Sequence, residues 1–132
     1  MKILRRMFAP KEVRNALGIL DEVGFEFNCE AFQMLRNPIE DVFLRDYRNV
    51  ISAIEEGISP RQQVYFAIAN LAADYLQSGH YHVYTGVLGG LGEDLLMMFD
   101  VSVDQLAHSG AIDDREAKAR KAGIRERIAI VG

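Results

Sequence analysis

Residues 62–92, QQVYFAIANLAADYLQSGHYHVYTGVLGGLG, carry a single formal charge, Asp74, and their reading decides the fold. So long a stretch without solvating charges has to be covered by protein on several sides, and its tyrosines and histidines take polar tips into a low-dielectric place. In the first half, Val64, Ile68, Leu71 and Tyr75 recur at helical spacing, with Ala67 and Ala72 beside them. Ser59 is the expected cap, Pro60 the first helical residue, and Ser78-Gly79 the stop. From His80 to Leu88 the residues are aromatic and β-branched and would also suit a strand; with helices on both sides they are read as two further helical turns. Gly86, Gly89, Gly90 and Gly92 are then a hinge, whose missing side chains let the aromatic segment pack closely on a neighbouring helix.

Upstream, Pro10 opens a helix with Val13, Leu17, Leu20 and Val23 on one face and Gly24 as its stop. Asn28 is placed to cap a second helix through Phe32 and Leu35, which Asn37-Pro38 should end, because the residue before proline disfavours helical geometry. A third helix is expected from Ile39 to Gly57, with Glu40 and Asp41 in its first turn favourable to the helix dipole. Downstream, Leu95, Met98, Phe99, Val103 and Leu106 give a strong helix from Glu93 to Ser109-Gly110. Asp113 and Asp114 start a last, basic helix, expected over 113–131, with Ile124, Ile128 and Val131 packed on the body. The expected architecture is all-α, one compact bundle of about six helices with short turns. It is expected as a single domain, 1–132, with a basic N-terminal segment (1–9) and a helical body (10–110).

Ala73, Tyr75, Leu76, Gly79 and Tyr81 fall in an order that resembles a tetratricopeptide hairpin. The family needs a second copy about 34 residues away, and none is present, so the likeness is that of an ordinary helix pair.

A chain of 132 residues can bury a sizeable core without metal or disulfide. Its lone cysteine, Cys29, cannot pair within the chain and fits a reducing, cytoplasmic setting as a small buried hydrophobe. The apolar residues of Met1–Pro10 are broken by Arg5 and Arg6, so no signal-peptide core is expected, and Asn70 and Asp74 interrupt the best candidate for a membrane span. Charge is unevenly placed. Residues 1–14 hold five basic side chains against one acid, residues 115–132 hold six against two, and the middle holds four against sixteen. Basic ends should therefore dock on the acidic body, in the same chain or a partner. Nucleic acid is disfavoured, since the acidic middle repels phosphate and no recognition motif is present.

Tyr65, Tyr75, His80, Tyr81, His82 and Tyr84 are the candidates for ligand binding or for an interface. On a helix His80 and His82 point to different sides and His80 shares a face with Tyr84, so the histidines form no chelating pair unless the segment is extended. Asp100, Asp104 and His108, spaced by four, could offer a hard metal two carboxylates and an imidazole; the same row also reads as the solvated back of an amphipathic helix, and no metal or other cofactor is assigned. The glycines could cradle phosphate, but two acids follow them and no Lys or Arg lies between Gln62 and Asp114. Neither Cys29 nor any serine stands in a nucleophile motif.

Leu91-Gly92-Glu93-Asp94-Leu95 resembles the acidic helices of all-α nucleotide pyrophosphohydrolases. The resemblance implies a magnesium- or manganese-dependent hydrolase acting on a nucleotide, with Glu55, Glu56, Glu93 and Asp94 as ligands. It departs from that family in placing Glu55 and Glu56 at a helix end rather than mid-helix. The main expectation is a protein-interaction or regulatory domain, a homodimer or a binder of another protein, rather than an enzyme. A helical domain with a Tyr/His-lined pocket for a small ligand is the third reading. The motive is surplus: Tyr65, Phe66, Tyr75, Tyr81, Tyr84, Met97, Met98 and Phe99 are more large apolar side chains than one small core readily covers.

Overall fold

The computed structural model describes residues 6–128 and 130–131, and the N-terminal residues Lys2, Ile3, Leu4 and Arg5 lie outside the described residues. Among these residues the fold is an all-α bundle of six helices: α1 (Lys11–Phe27), α2 (Ala31–Arg45), α3 (Tyr47–Glu55), α4 (Pro60–Gln77), α5 (Leu91–His108) and α6 (Asp114–Arg127). Two short strands, β1 (Val83–Tyr84) and β2 (Ile130–Val131), pair in parallel. Among the described residues no helix is long and apolar enough to cross a membrane.

Helices α4 and α5 form the central hairpin. They run antiparallel, since Gln62 at the start of α4 hydrogen-bonds Ser109 at the end of α5 at 3.1 Å. Helices α1, α2 and α3 pack on α4, and α6 packs on α5. The core between them holds Leu17, Leu20, Phe32, Ile68, Leu95 and Leu106, all with almost no surface in water. The start of α4 is built as its sequence dictates. The Ser59 hydroxyl accepts from the Gln62 amide and the Gln62 side chain accepts from the Ser59 amide, a reciprocal capping box ahead of Pro60. Helix α6 opens on the Asp113 carboxylate, which accepts from the Glu116 amide at 2.7 Å.

Four boundaries differ from expectation, each for a physical reason. Helix α1 runs through Gly24 to Phe27, because Gly24 is where the Phe32 ring of α2 lies against the α1 backbone and a Cβ would strike that ring. Its stop is Asn28, left-handed at φ 50° and ψ 49°, which closes α1 rather than opening α2. Helix α2 continues through Pro38. Proline has no N–H for the carbonyl of Met34 four residues back, and the hydroxyl of Tyr75 on α4 takes that carbonyl at 3.3 Å, so the cost of the lost helical bond falls. The break expected there falls instead at Asp46. Helix α6 stops at Arg127, and Ile130–Val131 form β2 rather than the end of a helix through 131.

The segment 80–88 is the largest departure. It is not helical: it crosses the first turn of α5 in an irregular path that includes β1. Its β-branched and aromatic residues follow their strand propensity once β2 supplies a ladder.

The basic ends do dock on the acidic body within the chain. Arg6 reaches Asp21 at 3.1 Å and Glu40 at 3.4 Å, while Arg36 reaches the same two acids at 2.9 and 3.0 Å. Glu40, expected in the first turn of a third helix, lies inside α2 and is 5% exposed at the centre of this network. Burial lowers the pKa of the Arg36 guanidinium, but Asp21 and Glu40 outweigh it and the net shift is upward. At the other end, Lys121 meets Asp104 at 2.7 Å and Arg125 grips Asp100 with two bonds at 2.6 and 3.0 Å. Replacing Glu40 by alanine leaves two partly buried cations with one acid between them. Breaking a buried pair costs roughly 3–5 kcal/mol. The arginines keep 34% and 27% of their side-chain surface in water, so Glu40→Ala is expected to lose about 2 kcal/mol. Chemical denaturation checks this, and Glu40→Gln should lose less because it keeps the volume.

Candidate functional site

The six Tyr and His candidates do not form one site. Tyr65 is buried on α4, where with Val23, Phe27, Met97 and Val101 it lines a hollow of about 270 Å³. Tyr75 is tied to the Met34 carbonyl, and its ring lies 6.0 Å from that of half-buried Tyr81. These two seal the joint between α4, α2 and the loop. His80 and His82 are exposed. Because the backbone is extended here, His82 meets Tyr84, two residues on, edge to face at 6.3 Å, in place of the helical His80–Tyr84 face.

The glycines hold this loop in place. Gly86 and Gly89 turn the chain at φ 80° and 79°, a region that side chains avoid. Gly90 caps α5, and Gly92, in its first turn, lies directly beneath the His82 carbonyl, where a Cβ would collide with backbone. The Glu93 carboxylate accepts a hydrogen bond from the Tyr84 amide. The outer side of β1 is thereby closed by α5, and β2 covers the other side, with the Thr85 amide donating to the Val131 carbonyl at 2.8 Å. Within the ladder β2 pairs with β1 alone, which leaves its far edge uncovered among the described residues.

The two strands and the turn into α5 hold much of the exposed apolar surface. Twelve large hydrophobic residues are exposed among the described residues, and six of them, Tyr84, Val87, Leu88, Leu91, Ile130 and Val131, lie in β1, the connection to α5, the first residue of α5 and β2. Leu88 is 97% exposed. This corner was invisible in the sequence, since 80–88 read as helix and nothing near in sequence couples Tyr84 to Val131.

Metal chemistry finds less support. Asp100 and Asp104 are engaged by Arg125 and Lys121, and the ring of His108 is held at the Asp104 carbonyl, 3.2 Å away. Glu93 serves Tyr84. Among the described residues no three His, Cys, Asp or Glu side chains come together to hold an ion, so Glu55, Glu56, Glu93 and Asp94 make no ligand set. Burial raises the pKa of the Cys29 thiol, with the charge of Asp94 adding to it against bonds from the Phe32 and Ala31 backbone, and its sulfur lies 3.9 Å from that of Met98. That is an unreactive setting.

Two further hollows flank the Asn70–Asp74 ridge of α4. One, of about 220 Å³, is an apolar groove over Pro38, Ile39, Val42 and Leu71. The other, of about 360 Å³, lies between α4 and α6 and carries charge: Asp74 from one wall, Arg120 and Arg127 from the other. Set against known proteins, this chain matches no protein-family model, no curated protein and no solved structure.

Proposed function

We propose that the protein is a small cytoplasmic interaction domain that self-associates, with the open edge of β2 and the apolar corner around Leu88 as its contact face. The observation that carries this reading is that half of the exposed large hydrophobics in the described structure lie on the two strands and the turn from β1 into α5, in a ladder whose β2 has no second strand partner. Exposed edges invite further strands, and a two-stranded ladder is marginal on its own. The occupant that fits without a new sequence is a second copy. Across a twofold axis β2 lies antiparallel to its own counterpart, giving a four-stranded sheet in which Ile130, Val131 and Leu88 of both copies cover one another. The closed side of β1 leaves that edge as the one route for growth. The lone, protonated Cys29 accords with a reducing compartment.

Size-exclusion chromatography with light scattering tests this directly. The wild-type chain is expected to run as a dimer at tens of micromolar, and Leu88→Glu as a monomer with unchanged helicity and melting temperature, since Leu88 contributes little to the monomer's own core. A wild-type chain that stays monomeric overturns the proposal.

A further inference from the structure

We infer that the hollow between α4 and α6 binds a small zwitterion, its oxyanion on α6 and its ammonium on α4. The volume, about 360 Å³, lies within the span of small-molecule sites, about 300–1,000 Å³. The two walls differ in chemistry. On α6, Arg120 and Arg127 are seven residues apart and so point to one side of the helix. Arg120 is held in place: one nitrogen bonds the Glu116 carboxylate at 3.1 Å and its guanidinium sits 5.9 Å from the Phe66 ring centroid. Its remaining N–H groups stay available. Arg127 has no hydrogen bond or ion pair with any described residue.

The α4 wall offers acceptors. Asp74 forms no ion pair within 4.0 Å with either arginine, although all three line the same space. The Gln77 amide nitrogen is spent on the Ala73 carbonyl at 3.1 Å, so its oxygen is the group left for a ligand. The floor is Phe99, a ring from α5. Two guanidinium forks on one wall suit a carboxylate or phosphate, and a carboxylate with an amide oxygen on the other suits an ammonium. The two walls do not satisfy each other directly. A molecule carrying both charges would bridge them, and an anion or a cation alone would leave one wall unpaired.

The probes are O-phosphoethanolamine and γ-aminobutyrate, which carry a phosphate and a carboxylate respectively beside an ammonium, with inorganic phosphate and ethylamine as their single-charge halves. Calorimetric titration of the full chain is expected to give millimolar or tighter binding for at least one zwitterion, about tenfold tighter than for either half, tenfold being what one charged contact commonly supplies. Which zwitterion binds decides between phosphate and carboxylate. Arg127→Gln should abolish the preference for the oxyanion end and Asp74→Asn that for the ammonium end, each weakening the zwitterion about tenfold. Neither side chain has a hydrogen-bond or ion-pair partner among the described residues, so both variants should melt with the wild type. Absence of binding by both zwitterions, or binding that survives both substitutions unchanged, overturns the inference. Self-association through β2 is measured separately, and neither result depends on the other.

Discussion

Gly24→Val is expected to lower stability by about 3 kcal/mol, the upper range for forcing extra carbons into a packed core. The Phe32 ring lies where the first of those carbons would go, and Phe32 is 1% exposed, locked between α1, α2 and the rest of the core. It has nowhere to turn. Valine also gains little helix propensity over glycine, whereas alanine gains about 1 kcal/mol, so Gly24→Ala should lose distinctly less. Urea denaturation of the two variants measures the difference. Wild-type stability for Gly24→Val would show that Phe32 does not lean on the α1 backbone.

Gly92→Ala should have the largest effect on association. A Cβ at 92 meets the His82 carbonyl, and backbone, unlike a flexible side-chain tip, cannot swing aside. The loop must lift from the first turn of α5, which takes β1 away from both Glu93 and β2. Helical content should hold, because the buried hydrophobic cluster is supplied almost wholly by the six helices, with Val83 as the loop's one member. Two readouts are expected to move together: the Thr85 amide, bonded to the Val131 carbonyl in the wild type, loses its protection from hydrogen exchange, and dimer formation weakens about tenfold or more, in keeping with loss of a central contact. Protected Thr85 in Gly92→Ala would refute the role given to this glycine. Protection lost with dimerisation intact would separate the loop from the interface and overturn the contact face proposed above.

Much of the fold was legible because it depends on local periodicity. Leu17 and Leu20, Ile68, Leu95, Val103 and Leu106 sit inward as their three- and four-residue spacing dictates, and Ser59-Pro60 and Asp113 open helices through bonds confined to four neighbouring residues. The docking of basic ends on an acidic body was also legible, since unlike charges in excess on one chain find each other; which acids they find, Glu40 and Asp21, Asp100 and Asp104, was not. Pro38 misled because the remedy for its missing N–H, the Tyr75 hydroxyl, comes from a helix 41 residues away in sequence as counted from Met34. Gly24 misled because glycine marks both helix ends and close approaches, and only the position of Phe32 distinguishes them.

By itself the sequence determined an all-α bundle and most of its core, because helix formation is governed by residues within a turn or two of each other. Only the tertiary structure decided that 80–88 is not helical and carries a two-residue strand, that Tyr84 stands beside Val131, and that Asp74 shares a hollow with Arg120 and Arg127. Those outcomes turn on contacts between distant segments. A strand of two residues has no stability of its own, and its existence follows from the partner that the folded chain brings to it.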